Sequence, residues 1–128
     1  MINIDKDNSL LTAGVWMEYE GSQFLVTHMS NVAFQRAVMR RQAPHKSKID
    51  KGTLDPAVMR ELMTRAMAET LLLDWKNVVD KDGKAVTYTP EAGYKALKNN
   101  EDLRDYLSDF AMNLDNYREE KKEELGKN

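Results

Sequence analysis

Few side chains in this sequence have the type and spacing that catalysis requires. The two histidines, His28 and His45, belong to no His-x-x-x-His or His-Glu-x-x-His pattern, which would present two metal ligands on one helix face. The serines lie outside any Gly-x-Ser-x-Gly frame, and the six glycines stand singly, not in a phosphate-binding loop. We therefore predict a protein that is not an enzyme and has no cofactor or metal.

One acidic stretch has the beginning of a calcium-binding loop. Asp80, Asp82 and Gly83 have the spacing of its first ligands and its glycine. A complete loop has a glutamate in its last position, where Thr89 stands here. Asp-Gly is also a common turn pair, because glycine adopts the positive φ that such turns need. We therefore predict a turn.

Length and composition indicate one soluble domain. The chain has 128 residues, 41% hydrophobic and 31% charged, with a net charge of −2 that makes nucleic acid an unlikely partner. It has no cysteine, which excludes disulfides and is consistent with a reducing cytoplasm. No apolar run approaches the roughly 20 residues that span a bilayer, and the start lacks the features of a signal peptide. We expect no membrane partner.

Basic residues are concentrated between positions 31 and 65, where the local charge is +5. Arg36, Arg40 and Arg41 are spaced so that two or three share one helix face. Such a group is most often a solvated helix end, where cations also complement the helix dipole. Acidic protein partners and phosphates remain alternatives, so Arg40 and Arg41 are candidate protein-binding residues.

Apolar candidates for binding are a methionine stripe and a tryptophan. Met59, Met63 and Met67 are four residues apart on one helix, which is typical of a core face but also of an adaptable partner groove. Trp16 and Trp75 are expected to anchor the core, although either is also a candidate interface residue, and of the two we select Trp16.

The N-terminal half predicts a hairpin followed by two helices. Two β-prone runs, 15–19 and 23–29, flank a Gly-bearing turn and predict a β-hairpin. A helix is predicted over 32–43 and an exposed loop over 44–53. Asp55-Pro56 is a capped helix start, and the apolar spacing predicts a helix to about Leu73.

The C-terminal half predicts a small insert and two helices. Asp82-Gly83 is a hairpin turn, and Val86 and Tyr88 are expected in a short return strand. A short helix is predicted over 90–98, and apolar residues from Leu103 onward, alternately three and four apart, predict a last helix reaching 117.

The predicted fold is mainly α (α+β): a small domain of about four helices with an N-terminal β-hairpin and a short Asp-Gly turn insert. The helices near 56–73 and 101–117 form its core, with the insert packed on them. Residues 1–13 are a flexible leader, 14–117 a single globular domain and 118–128 a charged C-terminal tail.

The order of these motifs resembles the tail assembly chaperones of long-tailed bacteriophages, of the siphophage type. In both, a helix leads into a Trp-bearing segment (here 73–78), an Asp-Gly turn, a Thr-Pro-Glu helix start at 89–91 and an acidic-started last helix. The N-terminal hairpin and the helix that starts at 31–34 also fit. The resemblance covers most of residues 14–115.

The resemblance implies a protein of the host cytoplasm that is absent from the mature virion. It implies binding to the phage tape measure protein, whose long apolar helical stripes would aggregate before the tail tube forms around them. It also implies a longer form made by a programmed −1 frameshift, which would recruit the tail tube protein, and the codons that can encode 126–127 permit such a slip. Self-association is a further expectation.

Two alternatives stay open at this point. One is a small DNA-binding regulator that uses the segment from Arg36 to Lys48, which predicts salt-dependent DNA binding. The other is a structural head–tail joining protein, which predicts that the chain is present in purified virus particles.

Overall fold

The computed structural model describes residues 1–118, and these form an α+β fold. The elements are α1 (Leu10–Ala13), β1 (Val15–Tyr19), β2 (Ser22–Val26), α2 (Val32–Gln42), α3 (Lys46–Asp50), α4 (Pro56–Thr70), β3 (Leu72–Lys76), α5 (Pro90–Asn99) and α6 (Glu101–Met112). Single 3-10 turns occupy Ala43–His45 and Leu114–Tyr117. None of the helices in the described part of the chain is long and apolar enough to cross a membrane.

The N-terminal hairpin forms as predicted. β1 pairs antiparallel with β2, from Val15 opposite Val26 to Tyr19 opposite Ser22. Glu20 and Gly21 turn the chain with φ values of 49° and 83°, and two successive positive φ angles match the right-handed twist of the strands.

A third strand corrects the prediction of a mainly α fold whose N-terminal sheet is a two-stranded hairpin. α4 ends at Thr70, not near Leu73, and β3 pairs antiparallel with β2 in the order β1-β2-β3. Thr27 fixes the change of direction: its hydroxyl donates to the Thr70 carbonyl at 3.1 Å and its amide to the Leu71 carbonyl at 2.8 Å. Helical spacing alone cannot reveal that the free edge of β2 is available to pair with these residues.

An irregularity in β3 explains its exposed positions. Leu25 lies opposite Asp74 but Val26 lies opposite Leu72, so Leu73 is an extra residue in the ladder. Leu73 and Asp74 are therefore both exposed, while Leu72 and Trp75 point into the core.

The predicted loop over 44–53 was wrong, because most of it is a 3-10 turn followed by α3. Pro44 lies in the first turn of the 3-10 segment, where its missing N–H breaks no helical hydrogen bond. The predicted last helix is also shorter, because α6 ends at Met112 and Asn113 then accepts from the Asp115 amide at 3.0 Å to start the second 3-10 turn.

The short helix α1 and the second 3-10 turn pack together in a small second cluster. Leu10, at the end of the predicted leader, is buried with Val15 of β1 and Tyr117. The predicted charged tail, apart from Arg118, lies outside the described residues.

The main core lies between the inner face of the sheet and the helices. Its members come from all three strands and from α2, α4, α5 and α6, and they include Met17, Phe24, Leu72, Trp75, Leu97 and Leu107. The core therefore involves the predicted helices, and the insert packs against it through Val86 and Tyr88.

The insert between β3 and α5 is organised around Trp75. The Trp75 Nε1 donates to the Val86 carbonyl at 2.7 Å, and the ring packs edge-on against Tyr88 at 5.1 Å and Phe24 at 6.3 Å. The expected return strand is reduced to one bridge, Val79 with Ala85, closed by the predicted turn with Gly83 at φ 78°.

Replacing Gly93 with Ala tests how tightly Tyr88 is packed. Glycine to alanine inside a helix ordinarily stabilises by up to about 1 kcal/mol. A Cβ at Gly93 would lie 2.9 Å from Cε2 of Tyr88, so we expect Gly93→Ala to destabilise by about 1–3 kcal/mol. Urea unfolding measures this. In a Tyr88→Leu background the same change should become neutral or stabilising, and an equal loss in both backgrounds would contradict the contact.

Alkaline pH should weaken the same region. Burial, reinforced by the nearby Asp74 carboxylate, raises the pKa of Tyr88 from 10.0 to about 12. The contribution of the neutral Tyr88 side chain to the free energy of unfolding is therefore fully present below pH 10.0. It is lost as pH rises through about 12. Burial also raises the pKa of Tyr117, with the same sign. Urea unfolding as a function of pH should show Tyr88→Phe losing less stability above pH 10.0 than the parent chain, and parallel curves would contradict this.

Candidate functional site

An open cleft of about 920 Å³ lies at one end of the sheet. It lies between the turn end of the hairpin, the insert and α5. Tyr19, Ser22 and Phe24 contribute one wall, residues 77–82 another, and α5 the third, with Leu103 of α6 at one end.

The interior of the cleft is apolar and is built by the core itself. Phe24, Trp75 and Leu103 are buried core residues, and Val86 packs on them. On α5 the lining residues Ala92 and Ala96 are one turn apart and small. Small side chains on a helix allow another segment to approach its backbone, so this wall has room for apolar side chains from a partner.

The rim of the cleft carries charges of both signs. Glu20, Asp80 and Asp82 supply carboxylates, and Lys81 and Lys95 supply ammonium groups. Asp80 also holds the insert in shape, since its carboxylate accepts from the amides of Asp82 and Lys84 at 2.9 and 3.0 Å. An apolar interior with a mixed charged rim is the arrangement of a protein-binding surface.

Trp16 lies elsewhere, on the outer face of the sheet. It stands opposite Leu25 of β2, and the Lys76 ammonium sits 4.2 Å from the centre of its ring. The ring is half-buried, so it is accessible to a partner but is already engaged by a cation.

Arg40 and Arg41 meet one carboxylate on the neighbouring helix. Glu69 of α4 accepts from Arg40 at 3.0 Å and from Arg41 through its other oxygen. The Glu69 side chain is only 24% exposed, which strengthens its hold on both guanidinium groups. Two of the three clustered arginines therefore have a protein partner, which reduces the charge available to phosphates.

The methionine stripe runs from the surface into the core. Met67 is 4% exposed and belongs to the core, and Met63 is half-buried against it. The sulfur of Met59 lies 3.9 Å from the side-chain amide nitrogen of Gln42 on α2. Met59 and Met63 are therefore the accessible members of the stripe.

His28 is buried and takes part in contacts within the fold. Nδ1 of His28 accepts from the Ser30 amide at 3.0 Å, and its ring packs on Tyr117. Within residues 1–118, no three His, Asp or Glu side chains are grouped so that they could hold a metal ion.

The structure thus brings the six predicted binding residues to three places, not one. Arg40, Arg41, Met59 and Met63 lie along α2 and α4, Trp16 on the sheet, and Met67 in the core. Sequence reasoning did not identify the cleft. The sequence feature nearest to the cleft is Trp75 followed by the Asp-Gly turn. This combination predicts the insert, but it does not predict the space between the insert and α5.

Removing the Glu69 carboxylate should destabilise the fold more than removing an exposed carboxylate. We expect Glu69→Gln to cost about 1 kcal/mol, because half-buried Arg41 loses its partner. Glu101→Gln breaks the Arg60–Glu101 pair, whose side chains are 60% and 69% exposed, and is the matched control with little expected effect. Thermal unfolding measures both, and equal losses would contradict the difference.

A family model described as YdaY prophage protein matches residues 29–128. The match begins after β2 and includes the insert, α5 and α6. No curated protein and no solved structure matches the chain.

Proposed function

We propose a function from what this match shows: the chain belongs to the YdaY prophage protein family and is a phage-derived protein. Within that frame, we propose that it is a non-catalytic tail assembly chaperone that binds and solubilises the tape measure protein. The observation that carries this proposal is the cleft, an open apolar surface rimmed by charge on a small prophage protein.

The client would bind through one face of an amphipathic helix. A helix laid in a groove inserts side chains spaced three and four apart. The small residues Ala92 and Ala96 leave room for them, Trp75 and Phe24 provide apolar contact, and the Lys95 and Asp82 side chains can meet polar residues on either side.

The proposed mechanism is reversible masking. A tape measure chain exposes apolar stripes until the tail tube encloses it, and exposed stripes aggregate. One cleft covers only a short stretch, so many copies of the chaperone would bind along one client. Each contact then needs to be weak enough to release as the tube polymerises, while the number of copies keeps the client soluble.

The chaperone acts in the host cytoplasm and leaves before the virion is complete. A frameshifted longer form would carry the extension that contacts the tail tube protein. The site of that extension, near residues 126–127, lies outside the described residues.

Cleft and non-cleft substitutions of the same type test the client site. Val79 lines the cleft and is 55% exposed, whereas Leu114 is 58% exposed and lies outside it. When each variant is co-expressed with the tape measure protein of the same prophage, we expect Val79→Asp to reduce the soluble client at least roughly tenfold, because a buried carboxylate opposes an apolar contact. Leu114→Asp should behave like the parent chain.

Three outcomes would contradict parts of this proposal. If the parent chain keeps no tape measure protein soluble, the function is wrong. If both variants lose the client equally, the cleft is not its site. If the chain is a stoichiometric component of purified particles, the head–tail joining alternative takes its place.

A further inference from the structure

A pocket of about 300 Å³ lies on the face of α5 opposite the cleft. It is formed where three helix segments converge, at 57–64 of α4, 94–98 of α5 and 101–104 of α6. Tyr94, Leu97 and Lys98 line the pocket, whereas Ala92 and Lys95 of the same helix line the cleft, because side chains two residues apart on a helix point in nearly opposite directions. The two sites therefore share a helix but no lining residue.

Both carboxylates that line this pocket are already engaged. Glu101 pairs with Arg60 at 3.0 Å. Glu61 accepts from the Tyr94 hydroxyl at 3.0 Å and lies 3.8 Å from Nε of Arg65. Two arginines thus balance the two negative charges.

Two cations in the lining have no such partner. Among residues 1–118, no carboxylate lies within ion-pair distance of the Lys98 ammonium or the Arg104 guanidinium. Nε of Arg104 is buried and finds no hydrogen-bond acceptor in this part of the chain. The Lys98 ammonium lies 5.7 Å from the centre of the Tyr94 ring, which keeps it close to the pocket. Positive charge that is partly withdrawn from water without a counterion costs free energy, and an anion would offset that cost.

We propose that this pocket binds a small organic carboxylate. Its anionic group would lie between Lys98 and Arg104, since a guanidinium can donate two parallel hydrogen bonds to one carboxylate. Its carbon chain would contact Tyr94 and Leu97, the buried apolar side chains of the lining. A bare inorganic anion makes only the first of these contacts and should bind more weakly.

The size of the pocket favours a free small molecule over a protein segment. A volume of about 300 Å³ is at the lower end for small-molecule sites, and it is about a third of the cleft volume of 920 Å³. A peptide could place little more than one side chain in it. Because the proposal uses neither the cleft nor the tape measure protein, it can fail or succeed independently of the proposed function.

Titration of the full chain with glutarate at constant ionic strength, followed by amide chemical shifts in heteronuclear NMR, tests the site. We expect saturable shifts at millimolar glutarate for Leu97, Lys98 and Arg104, and little change at residues 77–82 of the cleft. Inorganic phosphate should bind at least roughly tenfold more weakly. The absence of saturable shifts at the pocket, or phosphate binding as tight as that of glutarate, would overturn the proposal.

A matched pair of lysine variants separates the pocket from net charge. Lys98→Gln removes one of the two unpaired cations and should weaken glutarate binding at least roughly tenfold. Lys95→Gln makes the same charge change on the cleft face of α5 and should bind glutarate like the parent chain. Both lysines are exposed, so neither variant disturbs the core. Equal losses in the two variants would overturn the proposal.

A peptide with blocked ends, acetyl-Gly-Glu-Gly-amide, distinguishes a free ligand from an acidic side chain of a partner protein. It carries a carboxylate on a short carbon chain, as glutarate does, but its backbone has to remain outside the pocket. We expect it to bind more weakly than glutarate. Tighter binding of the peptide would assign the pocket to a protein side chain and would overturn the proposal of a small-molecule ligand.

Discussion

Burial of the Trp75 side chain is the interaction on which the rest of this structure depends. An indole can be buried only if its N–H finds an acceptor, and the Val86 carbonyl supplies one at 2.7 Å. That single bond requires the chain to leave β3, turn at Gly83 and return over the ring before α5 can begin. The insert is thus the means by which the tryptophan is covered, and Tyr88 and Phe24 complete the enclosure with edge-on contacts.

The same covering creates the proposed functional features. By returning over Trp75, the insert stands apart from α5 and leaves the cleft between them, with core residues at its base. It also brings the Tyr88 hydroxyl to the Leu72 carbonyl, which helps to close the β3 edge. The hairpin side has no such cover, so the two edges of a small sheet have different chemistry.

Local signals in the sequence were sufficient for the elements but not for their long-range pairing. Caps and prolines predicted the starts of α2, α4 and α5, and the Gly-bearing turn predicted the hairpin, because these signals act within a few residues. β3 was missed because Leu73 follows Thr70 at helical spacing and so continues the apolar stripe of α4. The helix ends because Thr27, more than forty residues earlier in the chain, donates hydrogen bonds to the carbonyls of Thr70 and Leu71.

The candidate site was harder to predict for the same reason. Spacing placed Met59, Met63 and Met67 on one helix face, but it could not say which end of that face is covered. Likewise, Arg40 and Arg41 were identified as a charged pair, whereas their partner Glu69 belongs to another helix. The cleft combines residues from the hairpin, the insert, α5 and α6, and no local pattern describes a space bounded by four separate segments.

Amide hydrogen exchange on the chain with and without its tape measure protein would test the central claim most directly. If the cleft binds the client, exchange should slow across the insert at 77–86 and along the cleft side of α5, while α2 and the outer face of the sheet change little. Slowing confined to the Arg40, Arg41 and Met59 surface, with the insert unchanged, would contradict the assignment of the client site to the cleft.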